Sequence, residues 1–132
     1  MPVKNPIHIG KGLDLPAEIT TQTVCVIGKR GVGKTTYVLR QAEQMIGAGL
    51  PVAVVDPVGV CWGLRSSADG KRPGLPVVIF GGDHADVPLE VGAGVVVADF
   101  LIEARQPAVI DLSLFRKGEQ VRFITDFASV TR

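Results

Sequence analysis

Gly28-Lys29-Arg30-Gly31-Val32-Gly33-Lys34-Thr35 has the residue types and spacing of a phosphate-binding loop: Gly, four residues, then Gly-Lys-Thr. Glycines let the backbone curl until consecutive N–H groups point inward at phosphate oxygens. A helix beginning directly after the loop adds the positive end of its dipole at the same place. The spacing therefore predicts a cradle from the backbone amides of Gly31, Val32, Gly33, Lys34 and Thr35, with Gly28 opening the turn and Thr36 close to the α-phosphate. Lys34 is expected to reach the β- and γ-phosphates as the catalytic cation, and the Thr35 hydroxyl to hold Mg²⁺. The ligand this chemistry suits is ATP, or another nucleoside triphosphate, with Mg²⁺. A plain glycine turn between strand and helix needs one or two glycines, not three ahead of a Lys-Thr pair. Lys29 and Arg30, at the loop tip, fit either solvent exposure or a neighbouring subunit.

Hydrolysis asks for more than a cradle, because water must be oriented and Mg²⁺ takes help from an Asp at a strand end. Asp56 and Asp111 each follow an apolar run, which puts them at the carboxyl edge where α/β sheets bind ligands. Asp111 is the stronger expectation for approaching the metal. The alternative for each is an Asp that caps a turn or helix. Asp111 is followed by Leu112-Ser113 and not by a second acid, and Glu119 lies too far along to stand in for one. A complete hydrolytic centre is thus not visible.

Other residues weigh less. Trp62, the only tryptophan, reads first as packing over the sheet edge and second as stacking on a base or partner. Arg65 and Arg116 fit surface positions or phosphate-facing groups supplied to a neighbour. His8 and His84, the latter flanked by Asp83 and Asp86, have poor metal-ligand spacing, and a solvated loop is the expectation for Asp83 to Asp86.

These residues need strands and helices to place them, and the pattern supplies both. Val24 to Ile27 is an apolar run suited to a strand covered on both faces. A helix from about Thr36 puts Val38, Leu39, Ala42, Met45 and Ile46 on one stripe and stops at Gly47 and Gly49. Val52 to Val55 is the second strand, ended by Asp56-Pro57. Residues 58–76 show no period, a length that is usually functional or conceals a short helix, here one irregular turn near Trp62 to Arg65. Val77 to Phe80 and Ala108 to Leu112 are further buried strands. Between and after them lie a helix over about Ala93 to Arg105, with Val97, Phe100, Leu101 and Ala104 on one side, and another over Gly118 to Val130, with Phe123, Ile124, Phe127 and Val130. Ahead of all this, residues 1–22 form an extension with an edge strand around Ile7 to Ile9 and a turn near Leu13-Asp14-Leu15-Pro16. The alternation predicts an α/β fold with a mostly parallel sheet, right-handed crossovers and helices on both faces.

Composition agrees. At 132 residues the chain is one domain, and 46% hydrophobic with 20% charged residues suits a buried α/β core. Fourteen Lys plus Arg against 13 Asp plus Glu leave a net charge of +1, which gives no field for sequence-independent DNA binding. Cys25 and Cys61 have no metal-like spacing, and with no secretory signal they fit reduced thiols in a cytoplasmic protein. No apolar run approaches membrane-spanning length.

Taken with Val54-Val55-Asp56-Pro57 and Val109-Ile110-Asp111-Leu112-Ser113, the loop at Gly28 to Thr35 resembles the HerA/FtsK-type P-loop ATPases. Trp62-Gly63-Leu64-Arg65 and Phe80-Gly81-Gly82-Asp83-His84 resemble a bacterial branch of HerA-like ATP-binding proteins. The resemblance runs from about Val24 to the end. It implies a three-layer αβα sandwich of P-loop NTPase type over residues 23–132, and hexameric motors that act on double-stranded DNA. It also implies that the metal-binding Asp and catalytic Glu lie on a strand after the one resembling Val109 to Leu112. The expectation is then an incomplete sandwich, the amino-terminal portion of a longer ATPase, weakly active or inactive by itself. Relatives often carry an acid near the position of Val60, and this chain does not. Two other readings stand beside this one. A small P-loop kinase would need an arginine-rich lid, and residues 81–94 contain no arginine. A nucleotide-dependent assembly switch would bind without turnover.

Overall fold

A computed structural model describes residues 6–16, 34–65, 71 and 74–130, with the side chains of residues 7–10 and 34–36 outside that description. The chain forms two compact units, Met1–Leu50 and Pro51–Arg132.

In the first unit, β1 (Ile7–Gly10) and β2 (Leu13–Leu15) make an antiparallel hairpin. The strand expected around Ile7 is present. The turn expected at Leu13 to Pro16 is instead a strand, and the chain reverses at Lys11-Gly12, where Gly12 takes φ +74°. Leu13 and Leu15 alternate around Asp14, a period-two signal that the nearby Pro16 obscured.

Helix α1 (Lys34–Gly47) begins two residues before the expected Thr36 and stops where the glycines require. Gly49 adopts φ +81°, its N–H reaches the carbonyl of Ile46 (2.9 Å), and the N–H of Leu50 reaches that of Met45 (3.1 Å). That pair of bonds is a Schellman cap, which satisfies carbonyls the helix end leaves free. Ala42 and Ile46 are buried as the stripe predicts, whereas Val38 is exposed.

The second unit is built on a parallel sheet of order β3-β5-β4, formed by β3 (Ala53–Asp56), β4 (Val78–Phe80) and β5 (Ala108–Asp111). The register aligns Ala53, Val55 and Asp56 with Ala108, Ile110 and Asp111, and Phe80 with Ile110. Side chains alternate between faces, so register decides what each face carries. One face presents Phe80, Ala108 and Ile110, continued by Leu112, against Val97, Ala98 and Leu101 of α2 (Gly94–Ala104) and Phe123 and Phe127 of α3 (Lys117–Val130). The other carries Val54, Ile79 and Val109, ending in the neighbours Asp56 and Asp111. As the central strand, β5 is buried at every position, which explains the apolar run Ala108 to Ile110 that precedes Asp111.

Both described helices of this unit share one core face, and they cross tightly. A Cβ at Gly94 would stand 2.8 Å from the Phe123 carbonyl oxygen and 3.0 Å from the Phe127 nitrogen. The expected α2 stripe is rotated: Val97 and Leu101 are buried with Ala98, while Phe100 and Ala104 are exposed. Phe100 still touches the core edge-on, its ring 6.3 Å from that of Phe80. In α3, Phe123 and Phe127 are buried and Ile124 is exposed. The start of α3 is capped by Glu119, whose Oε1 accepts the N–H of Arg116 at 2.9 Å, one half of a capping box. No helix among the described residues is long and apolar enough to cross a membrane.

Candidate functional site at the carboxyl edge of the sheet

Parallel strands bring their C-terminal ends to one edge, and there β3 and β5 end side by side in Asp56 and Asp111. Both residues are 3% exposed. Their surroundings differ.

The chain leaving β3 wraps around the Asp56 carboxylate. Oδ1 accepts the N–H groups of Val58 (3.0 Å) and Gly59 (2.9 Å), and Oδ2 those of Val60 (2.7 Å) and Cys61 (2.8 Å). Four donors saturate the carboxylate, so this acid shapes the loop and leads it into the 3₁₀ turn Cys61–Arg65. Burial alone would raise its pKa. The backbone bonds from Cys61, Gly59 and Val58 and the Cys61 thiol outweigh that and hold it below the ordinary 3.8. The turn-capping reading of Asp56 is the one the geometry carries. Cys61, buried in the same cluster, is pushed up to about 12 by burial first, then by the charge and hydrogen bond of Asp56, then by the charge of Asp111. Such a thiol stays protonated and inert.

Asp111 accepts the N–H of Ser113 at Oδ1 (2.8 Å), which uses one lone pair of that oxygen. Around it the backbone comes close because glycines allow it. A Cβ on Gly82 would fall 2.1 Å from Oδ2, and one on Gly59 would fall 3.4 Å from Oδ2 and 2.8 Å from Ser113 Oγ. Gly81 and Gly82 follow β4 with φ +75° and +73°, a conformation that side chains rarely tolerate. The glycines after each flanking strand thus pack onto the acid at the end of the central one.

Loops 57–65 and 81–87 are fastened to each other at the rim. The Trp62 and His84 rings stack with centroids 3.9 Å apart and planes 10° apart. An aromatic stack adds about 0.5–1.5 kcal/mol beyond the area it buries. Arg65 pairs with Asp86, whose Oδ2 also accepts the N–H of Ile79 at 2.9 Å. Those bonds, Arg65 first, hold the Asp86 carboxyl below its ordinary value. Behind the rim, the Gln120 side-chain amide of α3 donates to the carbonyls of Pro57 (3.1 Å) and Leu112 (2.9 Å), joining the segments after β3 and β5.

The residues singled out in the sequence are distributed as follows. Gly28, Gly31, Val32 and Gly33 lie outside the described residues, with Lys29, Arg30 and the run from Val24 to Ile27. The backbones of Lys34, Thr35 and Thr36 form the first turn of α1, while their side chains lie outside the description, as does that of His8. Asp56, Asp111, Trp62, Arg65, His84 and Asp86 come together on one edge. Arg116 and Glu119 serve the α3 cap. The sequence reading missed the organising role of Cys61, Gly82 and Gln120. Among the described residues no group of three or more His, Cys, Asp and Glu side chains could hold a metal ion by itself. Compared with protein-family models, curated proteins and solved structures, the chain matches none.

Proposed function

We propose that the chain is the ATP-binding core of a HerA-like, DNA-translocase-type ATPase, with a P-loop three-layer sandwich as its framework. The observation that carries the reading is the Gly-x₄-Gly-Lys-Thr run leading directly into a helix that begins at Lys34, the arrangement in which loop amides and helix dipole converge on phosphate. A parallel sheet with acids at its carboxyl edge supports it. Mg²⁺ in such sites takes one or two carboxylates beside phosphate oxygens. Asp111 suits that role because its bond to Ser113 leaves lone pairs, and Asp56 does not because its oxygens are saturated. Binding without strong turnover is the expected behaviour, since no second acid adjoins Asp111. Hexamer formation, action on DNA and a cytoplasmic location belong to the same proposal.

The test is calorimetric titration with Mg-ATP. Lys34→Ala should weaken binding by ~1.5–3 kcal/mol, the scale of a charge-assisted contact. Unchanged affinity would remove Lys34 from the site.

A further inference from the structure

We propose that residues 82–85 form a flap over the Asp111 carboxylate, latched by the stacking of His84 on Trp62. Its neck is pinned to β4. The N–H of Gly81 bonds the Val87 carbonyl (2.9 Å), the N–H of Asp86 bonds the Ile79 carbonyl (2.8 Å), and the Asp86 carboxylate returns to the Ile79 N–H. The receiving side is equally firm. The Cys61–Arg65 turn is tied to Asp56 through the Cys61 N–H, to Asp86 through Arg65, and to the returning chain by bonds from Gly74 to Arg65 and Leu75 to Leu64, both 2.8 Å. Between these two anchored parts the flap carries Asp83, His84 and Ala85, all exposed, and only the His84 ring is engaged on Trp62. Gly81 and Gly82, adjacent and both at positive φ, are where the backbone can turn.

Closed, the flap lays Gly82 against Asp111 Oδ2 and leaves the acid 3% exposed. Open, it uncovers a carboxylate whose neighbour Asp56 is already saturated, so the gate acts on one acid of the pair. The ring stack at the rim sets the balance, because the pinned neck keeps its bonds in both positions. The device rests on the second unit alone and not on the nucleotide reading.

Trp62 is the only tryptophan, so its emission reports the latch directly. The experiment compares the whole chain with His84→Ala, His84→Phe and Lys34→Ala by acrylamide quenching and amide hydrogen exchange. His84→Ala should raise quenching of Trp62 and speed exchange of the Ser113 amide, which donates to Asp111 Oδ1, by roughly 2- to 10-fold, the scale of a lost ring stack. Residues 108–110 should keep their protection. His84→Phe restores a stacking ring and should behave as the parent, as should Lys34→Ala. The proposal fails if Ser113 exchange is unmoved in His84→Ala, if residues 108–110 loosen with it, or if His84→Phe matches His84→Ala.

Discussion

Asp56 and Asp111 are the same residue type, in register on adjacent strands, pointing to the same face and equally buried. The chain after each strand makes them different. After Asp56 the backbone curls back and delivers four N–H groups to the carboxylate. After Asp111 it moves on into α3, delivering one from Ser113, and the remaining surroundings are glycines brought in by other strands. One acid is a local organiser, fixed by residues within five positions of itself. The other is a meeting point for loops distant in sequence.

The Cys61 thiol, hydrogen-bonded to Asp56 and feeling the charge of both acids, gives the sharpest contrast. With Cys25→Ser to leave one cysteine, Cys61 should react with an alkylating agent near pH 8 at least about a hundredfold more slowly than an exposed thiol, because it is buried and its pKa is pushed up to about 12. Asp56→Asn should recover more of that reactivity than Asp111→Asn, because Asp56 supplies both charge and hydrogen bond. Equal recovery would mean that the thiol belongs to both acids alike.

Stability should separate the acids next. Asp56→Ala leaves several backbone donors without an acceptor and should cost ~3–5 kcal/mol in denaturant unfolding, whereas Asp111→Ala strands one and should cost ~1–3 kcal/mol. Reversal of that order would break the distinction. Gly82→Ala should cost ~2–3 kcal/mol, since it combines a positive φ with a Cβ on Asp111 Oδ2. Gly12→Ala, with a similar φ and nothing within 4 Å, is the control and should cost ~1 kcal/mol.

The smallest effect is in acid. The folded chain holds Asp56 ionised below 3.8, so the unfolded chain binds that proton first. Stability from this group is present above about pH 4 and is lost as pH falls through the lowered folded value. Asp56→Asn should flatten this acid limb in urea titrations at several pH values.

The contrast also explains what was legible in the sequence. Strands β3, β4 and β5 were, because each carries a short apolar run, Val52 to Val55, Val77 to Phe80 and Ala108 to Ile110, with an Asp closing the runs of β3 and β5. The end of α1 was, because Gly49 supplies the left-handed residue its cap demands. The short turn inside residues 58–76 was visible as a length anomaly, and its cause was half visible: an Asp at a strand end followed by Pro and Gly announces a turn. The joining of Trp62 to His84 and Arg65 to Asp86 was not, because twenty-odd residues of chain separate partners that only the sheet order brings together. The rotation of α2 was hidden because Asp99 and Glu103 mark only a narrow polar strip, and Val95, Val96, Val97, Phe100, Leu101 and Ile102 cover the rest of the helix and leave its phase loose.

Gln120 acts as a ruler. One NH₂ group gives its two hydrogens to the carbonyls of Pro57 and Leu112, so the gap between the segments after β3 and β5 is gauged by the width of a single amide. Neither segment can slide past the other by more than a fraction of an ångström without dropping one bond. A displacement of α3 along its axis would therefore pull on both segments at once, as one hand holding two cords.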